Sequence, residues 1–515
     1  MKKLLPLIFF CCTSVVSFGQ APAYWQQQVD VDINVALNDQ AHALTGDIKM
    51  RYQNNSPDTL HFIWMHLWPN AYKNDRTAFS EQLLQNGRTD FYFSPENKKG
   101  YINRLSFKVN NELAQVEDHP QHQDIVKIIL PTPLPPAAAV IIETPFHEKL
   151  PEYFSRGGHI NQSYMITQWY PKPAVYDVQG WHPMPYLDQG EFYSEFGNYK
   201  VNITVPATYK VAATGVLRAE SKQDIVKTLR FEQDNVHDFA WFADKDFEVL
   251  HDTLQLAGKT IDVFAYYNKA NAKEWANSLK FIKNAVNTKS NWLGEYPYNI
   301  VTVVEKAGAS DGGGMEYPTI TLISKTANEK TLDFLINHEV GHNWFYGILA
   351  SNERAHPWMD EGMNSYYDLR YARFRDAQEG RNSVQKMPSF LQKRTPENIE
   401  HTLLQTIIGI KKDQPIATHS EAFSSYNYGL VAYTKTAEWL QLLERNLGTP
   451  VFDKVMQQYY EEYKFKHPQP ADFKVVAERV SGKNLDDVFG LLYRKGSLTA
   501  PAAKDIRLTS FLNLR

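Results

Sequence analysis

His338-Glu339-Val340-Gly341-His342, followed after eighteen intervening residues by Glu361, is the stretch that decides the fold. Residues four apart on a helix lie on one face, so His338 and His342 can offer imidazole nitrogens to one ion, with Glu339 beside it. A catalytic zinc takes three protein ligands and keeps a fourth position for water, so a third ligand must come from elsewhere. Glu361 is the best candidate. It follows a break marked by Gly347, Asn352 and Pro357 and opens an apolar segment, 358–371, that reads as a second helix packed back on the first. The expected cofactor is one Zn²⁺ per chain. Glu339, within reach of the metal's water without binding the metal, is the expected general base.

Trp344, Glu361 and the turn Asn352-Glu353-Arg354 fall where one family supplies such residues. The stretch resembles the aminopeptidase N family of gluzincin zinc metallopeptidases, which also includes leukotriene hydrolase. The resemblance implies an α+β multidomain protein: an N-terminal all-β, saddle-like domain, then a mostly helical thermolysin-like zinc peptidase domain.

Upstream of the zinc stretch, 301–304 and 319–323 read as strands, and Gly312-Gly313-Gly314-Met315-Glu316-Tyr317 lies between them. Glycines there let a backbone approach closely, and the free amides of such a segment can pair with an extended peptide. Glu316 supplies a carboxylate for a desolvated α-ammonium. The plain alternative is a flexible loop with a solvated Glu. Relatives of similar sequence write this motif Gly-x-Met-Glu-Asn, and the resemblance makes Gly313, Gly314, Met315 and Glu316 substrate-binding residues, with Tyr317 a departure from the pattern.

Further upstream, Trp275, Leu279, Ile282, Ala285 and Val286 form a helical stripe that ends before Gly294 and Pro297. From 29 to 250 the period is mostly two, the mark of half-buried strands, with runs at 29–35, 44–52, 60–67, 126–130, 140–144, 199–205 and 229–232. The domain boundary is expected near 252, giving domains at 20–252 and 253–496. Thr167-Gln168 resembles the family's Thr-Gln motif, which makes Gln168 a substrate-binding candidate. The acidic or amide residue that many relatives carry two places later is Tyr170 here.

Downstream, Leu430, Tyr433, Ala437, Leu440 and Leu447 form a stripe closed by Gly448 and Pro450. Tyr426-Asn427-Tyr428-Gly429 ahead of it resembles the family's Tyr-x-x-Gly helix start, and on that register Tyr426 is the catalytic phenol, with Tyr428 its competitor. Helical periodicity continues at 452–463, 472–480 and 485–493. Relatives commonly add a large helical domain that roofs the cleft, which the tail 497–515 is too short to build. A more open cleft, or one covered by another subunit, is expected.

At the N-terminus, Lys2 and Lys3 precede an apolar run at 4–16 and the small residues Ser17 and Gly19, so 1–19 reads as a secretory signal peptide. The run falls short of the ~20 residues that span a bilayer core. Cys11 and Cys12 are the only cysteines, and cleavage would leave no thiol for a disulfide or a thiolate site. The net charge of −4 gives no basic footprint for nucleic acid. Abundant aromatics could suggest carbohydrate binding, but in a large protein they are more often packing.

Together these readings predict an exported zinc metallopeptidase, periplasmic or extracellular, with a peptide as partner and no membrane span or nucleic acid. The first expectation is an aminopeptidase acting on free N-termini. The alternatives are a less selective zinc peptidase that also cuts inside chains and a catalytically silent binding scaffold of the same fold.

Overall fold

The computed structural model of the protein describes residues 24–308, 313–378 and 396–498. The expected signal segment and residues 499–515 of the expected tail lie outside the described residues.

The period-two pattern near the start becomes β1 (Gln28–Asn38), in which Val29, Val31, Ile33, Val35 and Leu37 are buried and the residues between them face outward. β1 runs antiparallel to β2 (Ala43–Gln53), and β2 runs antiparallel to β3 (Ala139–Lys149). On its other side β1 lies parallel to β4 (Gly197–Pro206), which pairs antiparallel with β5 (Val226–Val236). These strands form the middle of a nine-stranded sheet, and two four-stranded sheets accompany it. Trp68, Trp169 and Trp241 are fully buried, so these aromatics serve packing.

A satellite cluster of Trp68, Tyr72, Phe79, Phe91, Tyr186 and Phe192 pins the irregular stretch 184–193 against α1 (Ala78–Gln85). Thr77 caps that helix by accepting from the Ser80 amide at 3.3 Å.

The second sheet has five strands. β6 (Phe247–Gln255) forms a hairpin with β7 (Thr260–Asn268), so the passage between the two sets of sheets falls ahead of Phe247 and not at the expected 252. β6 exposes most of its side chains, and its sequence alone carries no mark of which sheet it joins. β7 lies parallel to β8 (Ile300–Glu305), whose six residues are all buried, as in the centre of a parallel sheet. β9 (Gly314–Tyr317) and β10 (Ile320–Ile323) complete the order β6-β7-β8-β10-β9, which leaves β9 on an edge.

The expected stripe from Trp275 is interrupted: a short turn ends at Trp275, and α2 (Ser278–Trp292) begins afterwards. α3 (Glu329–His342) carries the zinc motif and is capped by Asn328, whose side chain accepts from the Thr331 amide at 3.0 Å. Pro357 opens a short turn, and α4 (Glu361–Gln378) starts at the expected third ligand. Gly341 lets these helices meet: a Cβ there would collide with Asn364 on α4 and press on Lys289 of α2. α5 (Thr436–Leu447), α6 (Thr449–Tyr463) and α7 (Pro470–Ser481) follow the expected periodicities. No helix among the described residues is long and apolar enough to cross a membrane.

Candidate active site

His338 and His342 project from one face of α3 toward Glu361 at the first position of α4, where free amides and the helix dipole favour a carboxylate. The two Nε2 atoms are 3.1 Å apart, and each faces Glu361 Oε2, at 3.6 Å from His338 and 3.4 Å from His342. Ligands ~2.0–2.1 Å from a tetrahedral zinc sit ~3.3 Å from one another, so the three atoms are spaced for that ion. Glu361 Oε2 is buried without a hydrogen-bond partner, which leaves it available to a cation.

Each imidazole is oriented from behind. His338 Nδ1 lies 2.6 Å from Asp368 Oδ2, and His342 Nδ1 lies 2.7 and 2.8 Å from the two oxygens of Asp360. A hydrogen bond at Nδ1 turns the Nε2 lone pair toward the metal position. Asp368 is itself held by Asn337, whose Nδ2 donates to it at 2.7 Å, and the buried ammonium of Lys289 donates to Asn337 Oδ1 at 2.9 Å.

The electrostatics call for cations. Burial pushes the Glu339 carboxyl up to about 8, with Glu361, Asp368 and Asp360 adding to the effect and His338 opposing it. Burial pushes Asp360 up to about 8 as well. His342 is lowered to about 4 by burial, which keeps it neutral as a ligand must be. For His338 burial acts downward, but Asp368 and then Glu361 and Glu339 outweigh it and raise the group well above its usual range. Burial raises Glu316, with Glu191, Glu361 and Glu339 adding to it, and burial raises Glu353, with Asp360, Glu316 and Glu191 adding to it. Acids crowded and desolvated in this way are stabilised by positive guests.

Ligand atoms of Glu316, Glu339 and His342 lie within 4.8 Å of one another, as do those of Glu316, Glu353 and Asp360. Gly314 makes the first of these groupings possible, since a Cβ there would strike the Glu339 carboxylate. The glycine-rich segment expected as a loop is an edge strand from Gly314 onward, with Glu316 opposite Thr321. Glu316 is buried, and its Oε1 has no partner. Met315 packs among Phe242, Ile320 and Leu322 beneath the strand, and Gly313 accepts from the Ser324 amide at 2.9 Å.

Two expected residues are placed elsewhere. Tyr426 is 81% exposed, on the short turn Ser425–Asn427, and has no contact with the metal group. The phenol at the metal group is Tyr433: its ring stacks on His338 with centroids 6.2 Å apart, and its hydroxyl donates to Glu361 Oε1. Tyr428 packs edge-on against Tyr433 at 5.8 Å. The Tyr-x-x-Gly register slipped because Thr436 stands three residues after Tyr433, where a glycine was sought. Gly362 on α4 makes the room that Thr436 fills. Gln168, in a left-handed backbone conformation (φ 53°), spends its amide inside the N-terminal domain. Its Nε2 donates to Asp238, and its Oε1 accepts from Lys172 at 3.1 Å. Tyr170 is buried beside it, bonded to Tyr199 and Asp238.

The N-terminal domain sends a different group to the site. Glu191 is buried, held by Arg156 Nε at 2.9 Å, and close enough to Glu361 and Glu316 to interact electrostatically with both. Sequence reasoning passed over Glu191, Asp360, Asp368 and Tyr433. Asp368 could have been found, since it lies seven residues, about two turns, after Glu361 on the same helix face. Glu191 sits in an irregular segment with no periodic signal.

Residues 279–491 match the sequence profile of the peptidase family M1 domain. The chain is 28% identical over 167 residues to a leukotriene A-4 hydrolase homolog of Botryotinia fuckeliana, spanning 32% of this chain and 24% of that protein. It is 25% identical over 202 residues to leucine aminopeptidase 2 of Yarrowia lipolytica, spanning 37% and 29% respectively. The chain therefore spans under a third of the length of these curated relatives. Among solved structures it resembles a two-domain M1 zinc metallopeptidase bound to L-arginine, with a TM-score of 0.65 at 15% identity, over 92% of this chain and 95% of that one. An M1 zinc metallopeptidase of Deinococcus radiodurans superposes with a TM-score of 0.63 at 15% identity over the same shares.

Proposed function

We propose that this chain, whose residues 279–491 match the peptidase family M1 domain, belongs to that family and is a zinc-dependent aminopeptidase that removes residues from the free N-termini of peptides. The observation that carries the reading is the surplus of buried carboxylates beside the zinc ligands: after the metal is counted, Glu316 still has an oxygen without a partner. A substrate's α-ammonium supplies the missing charge, and fixing it there registers the first peptide bond over the metal group. Glu316 on β9 and Glu191 from the N-terminal domain hold that ammonium. The unpaired edge of β9 hydrogen-bonds an extended peptide backbone as an added strand.

Zinc, when bound to His338, His342 and Glu361, supplies a Lewis acid that makes water acidic near neutral pH. Glu339 takes the proton from the attacking water and passes it to the leaving amine. A carboxyl pushed upward by burial is suited to both halves of that transfer. The Tyr433 hydroxyl, whose one proton goes to Glu361 Oε1 in the free site, turns it to the substrate's carbonyl oxygen as charge gathers there, and Asp360 and Asp368 keep the two imidazoles in place. Segment 1–19 is read as an export signal that delivers the enzyme to the periplasm or beyond, and N-terminal sequencing of the mature protein tests it.

The activity is tested by comparing a peptide with its N-acetylated twin. An aminopeptidase cleaves the first and spares the second. Comparable cleavage of both would favour the less selective peptidase, and cleavage of neither by zinc-loaded protein would leave the silent scaffold.

A further inference from the structure

Away from the metal group, a cavity of ≈ 580 Å³ opens between the N-terminal sheets and the catalytic domain. α1 and the 182–187 segment supply one wall, and 352–355 with His419 and Glu421 supply the other. None of the zinc ligands lines it, nor do Glu316 and Glu339.

Arg354 is the cationic side chain in this lining. It is only 6% exposed, and a single nitrogen, Nη2, finds a protein partner, the Pro185 carbonyl at 3.3 Å. Nε and Nη1 have none, and among the described residues no carboxylate forms an ion pair with the guanidinium, although Glu421 and Glu191 lie near enough to act on it electrostatically. A buried guanidinium short of partners costs stability, so a site that keeps one is built to receive an acceptor.

The surroundings hold it in place. The Arg354 carbonyl accepts from the Ser420 amide at 2.9 Å and the Ser420 hydroxyl at 3.1 Å, and Gln189 Nε2 donates to the Ser420 carbonyl at 2.6 Å. Gly190 has a positive φ of 93°, and a Cβ there would strike Ser420, so both walls are clamped at this point. Glu81 and Glu421, both exposed, also line the cavity. They repel polyanions but tolerate a ligand whose single carboxylate is balanced by an ammonium. The shielded Nε and Nη1 reach such a carboxylate by a swing of the long side chain toward the cavity, a change in a few rotatable bonds.

We propose that this cavity binds the free carboxylate of an amino acid or of a short peptide's C-terminus, with Arg354 as its charge partner. A bidentate guanidinium–carboxylate pair gives the geometry its specificity. The assignment does not depend on the peptidase reading, because it concerns a separate cavity and is measured by binding alone.

Isothermal titration calorimetry on zinc-loaded Glu339→Gln protein tests it, with Leu-Gly-Gly against Leu-Gly-Gly-amide and leucine against leucinamide. At least one acid should bind roughly tenfold or more tighter than its amide, the scale of a charge-assisted hydrogen bond. That preference should fall below about twofold when Arg354→Gln, or Ala355→Trp with the arginine intact and the cavity filled, is added to the same background, folding being checked by circular dichroism. A preference confined to the tripeptide assigns the site to a peptide C-terminus, and one confined to leucine assigns it to a free amino acid. No preference for either acid, or a preference that survives both substitutions, overturns the proposal.

Discussion

Replacing Tyr433 by Phe removes one oxygen atom from the site and leaves the ring stacked on His338. Two consequences follow from the geometry. The Glu361 Oε1 atom loses the hydroxyl that donates to it, so zinc affinity falls by about tenfold or more, the scale of one hydrogen bond to a charged group. The carbonyl oxygen of the substrate loses a donor that acts as charge develops, which typically costs about 10²–10³ in kcat, or about 2.7–4 kcal/mol of barrier. With zinc held in excess, steady-state kinetics on a leucyl anilide should therefore show kcat down by that factor and KM little changed. Tyr426→Phe, at a side chain 81% exposed, should stay within about twofold of wild type. If Tyr433→Phe loses less than about tenfold, or if Tyr426→Phe proves the more damaging change, the assignment of the phenol from the structure is wrong.

Glu316→Gln keeps the shape of the amine pocket and removes its charge. It should raise KM for free-amine peptides by about tenfold or more and shrink the difference between a peptide and its N-acetyl form, as kinetics on the pair would read. Gly314→Ala should cut kcat by at least about tenfold with zinc content intact, because the new methyl displaces Glu339; metal analysis beside kinetics separates this from loss of the ion. Lys289 carries a pH signature. Burial lowers its folded-state pKa to about 8 from about 10.5, so the folded protein sheds this proton first and stability rises with pH between those values, by about 3 kcal/mol. Urea unfolding of wild type and Lys289→Met from pH 7.5 to 10.5 should show the gap shifting toward wild type as pH rises, and parallel curves would mean that burial does not lower this pKa.

The candidate metal group of His338, His342 and Glu361 was legible because a four-residue spacing on a helix is a geometric statement in itself, and the strands of the N-terminal domain were legible because burial on one face writes a period of two. The apolar stripes of α5 to α7 were readable for the same reason. What escaped the sequence lacked a period. Glu191 reaches the site from an irregular segment fixed by aromatic packing, and Gln168 resembled a binding residue until its amide was seen spent on Asp238 and Lys172. The reading of Tyr426 turned on the glycine three residues after it, whereas Tyr433, the phenol set beside the metal group, has Thr436 at that place, packed over Gly362. The segment before β10 was read as a loop because its glycines hide a strand whose pairing is set by β10 alone.

The most direct test of the central claim is the zinc content of purified protein by native mass spectrometry, read beside turnover of one peptide. Wild type should hold one zinc and hydrolyse the peptide, Glu339→Gln should hold one zinc with turnover lower by about 10² or more, and His342→Ala should hold none. An active preparation without a divalent metal, or a Glu339→Gln protein within about tenfold of wild type, would contradict it.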